Sequence, residues 1–243
     1  VAPALAGLFA GAATLVLPRL GWLALVAGAA VTAILHDQAG VALVLALGGV
    51  LPMLGLVRSP SDWPLATAAP GLGMIGLAGG WPALAGRAHT VWRRAVLGAL
   101  GWVWLLLAAP LAGRILYLSP MPGRPPRGVW ASSAAEAVRF AQSLATSGVL
   151  AGAAVWALAA AVSPWLVGGR SRALDVARVG LWATLTAWGA EAAVAAAHGP
   201  LPAPSAPTVA LGAVACAVIT LGPVVAGGWR GPWHSPLSRA RVP

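Results

Sequence analysis

Lysine and asparagine are absent from this chain, cysteine occurs once, and there are five acidic residues in all. A lone cysteine, Cys216, excludes a disulfide framework and a Cys-based metal site. Lying within an apolar run, it reads as a small buried hydrophobe. Charged residues make up 8% of the sequence, against roughly 25% in a soluble domain, too few to cover a water-facing surface. Alternation of polar and apolar residues at every second position is also missing, which excludes a membrane β-barrel. There is no H-x-x-x-H pair, no Cys/His cluster and no Ser-His-Asp grouping, so no cofactor and no catalysis within these 243 positions are expected.

All fifteen basic residues are arginine, and the formal net charge is +10. The arginines are scattered between apolar runs and gather on no single face or tail, so a nucleic-acid partner is excluded. We read the Ala/Gly/Arg/Trp bias as the coding bias of a high-GC genome. The chain opens at Val1 directly in apolar sequence, without a positive n-region or a small-residue cleavage site. A signal peptide is not expected, and the chain reads as a piece of something longer.

What is present is hydrophobic: 59% of the residues, in runs of about 16 to 22, close to the length that crosses a bilayer. The expected fold class is all-α, a polytopic transmembrane bundle of about eight spans with one interfacial amphipathic helix. The runs lie at 1–17, 20–35, 39–57, 65–86, 95–112, 149–167, 179–197 and 208–226. They divide the chain into five spans over 1–116, a proline-rich loop with the amphipathic helix over 117–148, three spans over 149–228, and a basic tail over 229–243. In the loop, prolines are too dense for a helix. Ser133 and Glu136 then have capping-box spacing. The helix they start places Glu136, Arg139, Ser143 and Thr146 on one face and Val138, Ala141 and Ala145 on another, as a helix lying at the lipid surface would.

Three arginines, Arg87, Arg93 and Arg94, sit within eight positions of a short stretch that also holds Trp81 and Trp92, the pattern of one span ending and another beginning. Trp prefers the headgroup level and Arg the cytoplasmic side. With Arg170, Arg172 and Arg178 in a second such loop, these residues set the orientation, and eight spans then place both termini in the cytoplasm. About eight of the thirteen Trp, Trp22 among them, fall at expected span ends, as an aromatic belt would.

Glu191 is the one carboxylate well inside an expected span, which is costly in lipid and marks a candidate polar site. His198 lies seven residues on and Thr184 seven before, on the same helical face. Such a row could relay protons or bind a ligand; the alternative is that Glu191 reaches the headgroups or pairs with an Arg. Asp175 among Arg170, Arg172 and Arg178 reads as an exposed, screened ion pair. Gly71-Leu72-Gly73-Met74-Ile75-Gly76 matches G-x-G-x-x-G, but it follows Pro70 inside an apolar run and lacks the strand and acidic residue of a dinucleotide fingerprint. It is a chance match in glycine-rich sequence. Gly7/Gly11, Gly76/Gly80 and Gly148/Gly152 have the small-xxx-small spacing of packed helices. The Pro70 break is the feature that would suit a transporter's broken helix.

Trp81-Pro82-Ala83-Leu84-Ala85-Gly86-Arg87, Trp92-Arg93-Arg94-Ala95, Leu97-Gly98-Ala99-Leu100-Gly101, Leu105-Leu106-Leu107 to Gly113-Arg114, Trp165-Leu166-Val167-Gly168-Gly169-Arg170-Ser171 and Ala173-Leu174-Asp175 carry a resemblance. Through them the chain resembles the C-terminal multi-span membrane region of certain bacterial serine/threonine protein kinases of high-GC lineages. The resemblance implies a plasma-membrane anchor or sensor for an upstream cytoplasmic kinase domain. No His-Arg-Asp and no Asp-Phe-Gly is present, so no catalytic residue carries over. A transporter or permease-like subunit and a non-catalytic membrane scaffold are the alternatives. The expected partners are the lipid bilayer, the linked kinase domain and further copies of the chain.

Overall fold

A computed structural model describes residues 17–113, 116–117, 127–146, 148, 150–167, 171–198 and 206–226, with backbone alone at 197–198, 206–209, 223–224 and 226. The described residues are overwhelmingly helical, and no strand occurs among them. Apart from Leu17 the expected span at 1–17 lies outside the described residues, as do Arg114, Arg124, Arg170 and the basic tail at 229–243.

α1 (Pro18–Leu35) and α2 (Ala39–Gly55) form an antiparallel pair. Asp37 turns the chain between them with φ of 57°, a left-handed conformation that Asp tolerates better than most residues. The Trp22 indole donates to the Gly49 carbonyl at 3.0 Å and ties the two helices together. A Cβ on Gly49 would lie 2.5 Å from Val26, so the glycine is what lets them approach.

The run at 65–86 forms no span-length helix. It is broken into 3-10 turns at Pro60–Asp62, Pro64–Thr67 and Ala78–Gly80, with two short helices, α3 (Ala68–Met74) and α4 (Trp81–Ala85). Four prolines and six glycines between 60 and 88 remove helical hydrogen bonds and favour turns. Gly76, with φ of 78°, stands where the descending half gives way to the returning half. Gly76 and Gly80 therefore do not share a helix, and the small-xxx-small reading fails there.

α5 (Val91–Ala112) is the central helix, with half of its most apolar stretch buried. Thr90 caps it by accepting the Arg93 amide at 3.2 Å, and Gly113, at φ of 65°, ends it. The hairpin can be traced against it. Asp62 bonds Arg93, Gly73 meets Leu105 and Leu116, the Trp81 indole donates to the Leu97 carbonyl at 2.8 Å, and the Ala88 carbonyl accepts from Arg94. The segment therefore descends about 18 Å along α5, the rise from Arg93 to Leu105, and returns to the end it left.

Beyond α5 come the short α6 (Arg127–Trp130), inside the stretch expected to be non-helical, and α7 (Ala134–Thr146). The Ser133 hydroxyl accepts the Glu136 amide at 3.3 Å, the expected cap. The expected faces need correcting: Ala137, Phe140 and Leu144 are the buried ones, packed on α2, whereas Val138 is exposed. α8 (Ala151–Val162) continues through a 3-10 turn and packs closely on α5. A Cβ on Gly98 would lie 2.4 Å from the Trp156 carbonyl oxygen, and one on Gly152 would lie 2.2 Å from the Trp102 ring. Gly148, at φ of 72°, stands outside that helix, so the Gly148/Gly152 pair is not a packing motif. α9 (Arg172–His198) and α10 (Ala206–Ala226) complete the bundle. α10 crosses the hairpin where Gly79 and Gly212 meet backbone to backbone.

Among the described residues, α1 and α5 are long and apolar enough to cross a membrane; a third candidate arises if α7 and α8, set at 61°, are one bent span. The sequence predicts about eight. The run at 65–86 folds back, α2 has 17 residues, and the expected span at 1–17 lies, but for Leu17, outside the described residues.

The tryptophans also depart from expectation. Trp22, Trp63, Trp81, Trp102, Trp104, Trp130, Trp156 and Trp182 are buried, and only Trp92, Trp165 and Trp188 of the described ones are exposed. They fill the interior instead of forming a belt. Trp102, Trp156 and Tyr117 meet edge to face, with centroids 5.2–6.2 Å apart, an arrangement that aromatic quadrupoles favour.

Candidate functional site

The hairpin sets which charges share an end. α1 begins beside Pro60–Asp62, α2 finishes where Trp92 donates to the Gly55 carbonyl, and α8 finishes where Ser163 abuts Gly86. The Trp182 indole donates to the Ala159 carbonyl at 3.1 Å, which places the start of α9 at that same end. Of the nine described arginines, seven gather there: Arg19, Arg58, Arg87, Arg93, Arg94, Arg172 and Arg178. Arg127 and Arg139 belong to the other end, with Asp37, Glu136 and Glu191. The expected count of spans separates Arg19 and Arg58 from Arg87, Arg93 and Arg94; the fold unites them.

Two acids at the Arg-rich end are buried. Asp62 accepts from Arg93 Nε at 2.7 Å and from the same guanidinium's Nη2. Arg93, read from sequence as a free topology signal, is thus an ion-pair partner that ties the start of the hairpin to α5. Desolvation offsets part of the attraction in such a pair, but removing one member leaves the other uncompensated. Asp175 is 1% exposed, with the Arg178 guanidinium 3.9 Å away. The expectation of an exposed, screened pair is therefore wrong for the carboxylate, because the first turns of α9 fold it inward. Arg94 Nε donates to the Ala88 carbonyl at 2.7 Å, holding the loop that contains exposed Arg87.

Beside the Asp62–Arg93 pair lies a partly open cavity of about 490 Å³, lined by residues from the end of α2 and the start of α5. Its polar lining comes from Arg58, Ser59, Thr90, Trp92 and Arg93. No carboxylate lines it, so it suits an anion. Sequence reasoning missed both the cavity and Asp62. The only signal available was the acid inside a Pro-Ser-Asp-Trp-Pro turn, which local pattern cannot pair with a residue 31 positions away.

Thr184, Glu191 and His198 all lie on α9, at the seven-residue spacing expected. Thr184 is exposed and donates to the Gly180 carbonyl at 2.9 Å, within its own helix. Glu191 is half-buried and has no hydrogen bond or ion pair among the described residues. The His198 side chain lies outside them. Among the described side chains, Thr184 and Glu191 share no hydrogen bond. Among the described residues no group of His, Cys, Asp and Glu could hold a metal ion. Arg170 of the second basic loop lies outside the described residues, and Arg172 opens α9.

Comparison of the chain with family models, with curated proteins and with solved structures finds no match.

Proposed function

We propose that the chain is an integral membrane module, a multi-pass helical bundle that anchors or senses, with its Arg-rich end in the cytoplasm. The observation that carries the reading is the pairing of an apolar exterior with a polar end. Leu20, Leu23, Val31 and Ile34 of α1, Leu47 and Leu54 of α2, Leu181, Leu185 and Trp188 of α9, and Leu211, Val214 and Val218 of α10 are all exposed. Water would disfavour so much bare hydrocarbon, whereas lipid accepts it. The asymmetry of the arginines supports the orientation. On this reading α1 and α5 cross the bilayer, α2, α8, α9 and α10 run alongside them between the same two ends, and 60–88 is re-entrant. Broken backbone at such depth is tolerated where protein buries it, as at Ala66, Ala69, Ala78 and Trp81.

An upstream serine/threonine kinase domain as the anchored partner rests on the resemblance alone. The transporter reading finds less support. Around the Pro70 break, Gly73 presses on Leu105 and Leu116, and the Trp102, Trp156 and Tyr117 rings fill the interior. The test is cysteine accessibility in cell membranes, on the full chain with Cys216→Ala as background. Ser61→Cys and His89→Cys are expected to react from the cytoplasmic side, and Asp37→Cys from the other. Labelling of Ser61→Cys and His89→Cys from opposite sides would overturn the re-entrant arrangement.

A further inference from the structure

The cavity beside the hairpin lies where two chemistries meet. On one side stand cationic and hydroxyl groups. Arg58 is exposed and has no hydrogen bond or ion pair among the described residues. Arg93 spends Nε and Nη2 on Asp62, leaving its Nη1 amino group unbonded among the described residues. Thr90 accepts the Arg93 amide, so its own hydroxyl proton is still available to donate. The first turn of α5 adds the positive end of a 22-residue helix. With Arg93 neutralised by Asp62, one positive charge at Arg58 is left without a partner.

On the other side the lining is hydrocarbon and bare. Leu54 is 71% exposed, Val57 61% and Trp92 69%. A dissolved phosphate ion would have no use for these three side chains. A molecule with an anionic head and an apolar body would use both sides at once. We propose that this cavity binds the phosphodiester headgroup of an anionic phospholipid, with Arg58 at the phosphate and the acyl chains lying over Leu54, Val57 and Trp92. Charge balances, since a phosphodiester brings one negative charge to the one unpaired guanidinium. Basic recesses between helices on the cytoplasmic side are where anionic headgroups bind.

The inference rests on the membrane reading for its ligand, but its test does not depend on topology. The full chain, purified in a neutral detergent, is titrated with dioleoylphosphatidylglycerol, and bound lipid is counted by native mass spectrometry. One phosphatidylglycerol should be retained per chain in preference to phosphatidylcholine. Arg58→Ala, which leaves the Asp62–Arg93 pair intact, should weaken that retention about tenfold, as loss of a charge-assisted bond does. Arg58→Lys should restore most of it, and Arg139→Ala at the opposite end should not change it. Equal retention of phosphatidylcholine, or an Arg58→Ala chain that binds as the parent does, would overturn the proposal. So would displacement of the lipid by millimolar inorganic phosphate, which would make the cavity a site for a free anion. The cysteine-accessibility result stands or falls separately from each of these outcomes.

Discussion

Two consecutive apolar stretches of this chain fold in opposite ways. Residues 91–112 form one helix about 33 Å long, while residues 60–88 break into turns and short helices that go halfway down it and come back. Residues 91–112 are the more hydrophobic of the two, but the break in 60–88 follows from its backbone chemistry. α5 has Thr90 to begin it, Gly113 to end it and its only proline in the last turn. The hairpin has a proline at 60, 64, 70 and 82 and a positive-φ glycine at its turn. Apolar character alone does not decide whether such a segment runs straight; its prolines and glycines decide whether it folds back.

The comparison can be tested at the surface where the two stretches meet. Gly101→Leu should do the most harm, because even a Cβ there would lie 2.0 Å from Trp81 Nε1. We expect a loss of about 3 kcal/mol, the upper range for overpacking, read by thermal unfolding in detergent. A variant that melts like its parent would mean that the hairpin is not docked through Trp81. Asp62→Ala should cost about 2 kcal/mol, less than a fully buried pair because Arg93 is 24% exposed. In a double-mutant cycle with Arg93→Ala, the two changes together should cost less than their sum; strict additivity would sever hairpin from helix. Trp81→Phe removes one indole hydrogen bond to the Leu97 carbonyl while keeping much of the ring, and should cost about 1 kcal/mol. Arg139→Ala, in an exposed pair with Glu136 and remote from both stretches, should shift unfolding by less than about 0.5 kcal/mol. A larger shift would show that the opposite end contributes more than its exposure suggests.

The helical class and the presence of helices apolar enough to cross a membrane were legible because both depend on composition and run length. So was the Ser133 cap, a matter of three residues. The count of spans was not, since a window over 65–86 registers apolar character and passes over what Pro70 and Gly76 do to direction. Misreading that one segment moved Arg19 and Arg58 to the wrong end and hid the Asp62–Arg93 pair. The tryptophans were misplaced for a related reason: a large apolar ring with one N–H suits either the headgroup level or a protein core. At Trp22, Trp63, Trp81 and Trp182 the carbonyl is supplied by the fold. Asp175 was read by its neighbours in sequence, which are arginines, although its surroundings in space bury it.

The 31 residues between Asp62 and Arg93 impose an order of events during synthesis. The ribosome makes the carboxylate first, and the guanidinium that neutralises it emerges only after the whole hairpin has left the exit tunnel. Until then the carboxylate lacks the guanidinium that holds it in the fold, and the segment has no α5 to rest against. It can therefore settle into its packed, halfway position only when the next helix arrives.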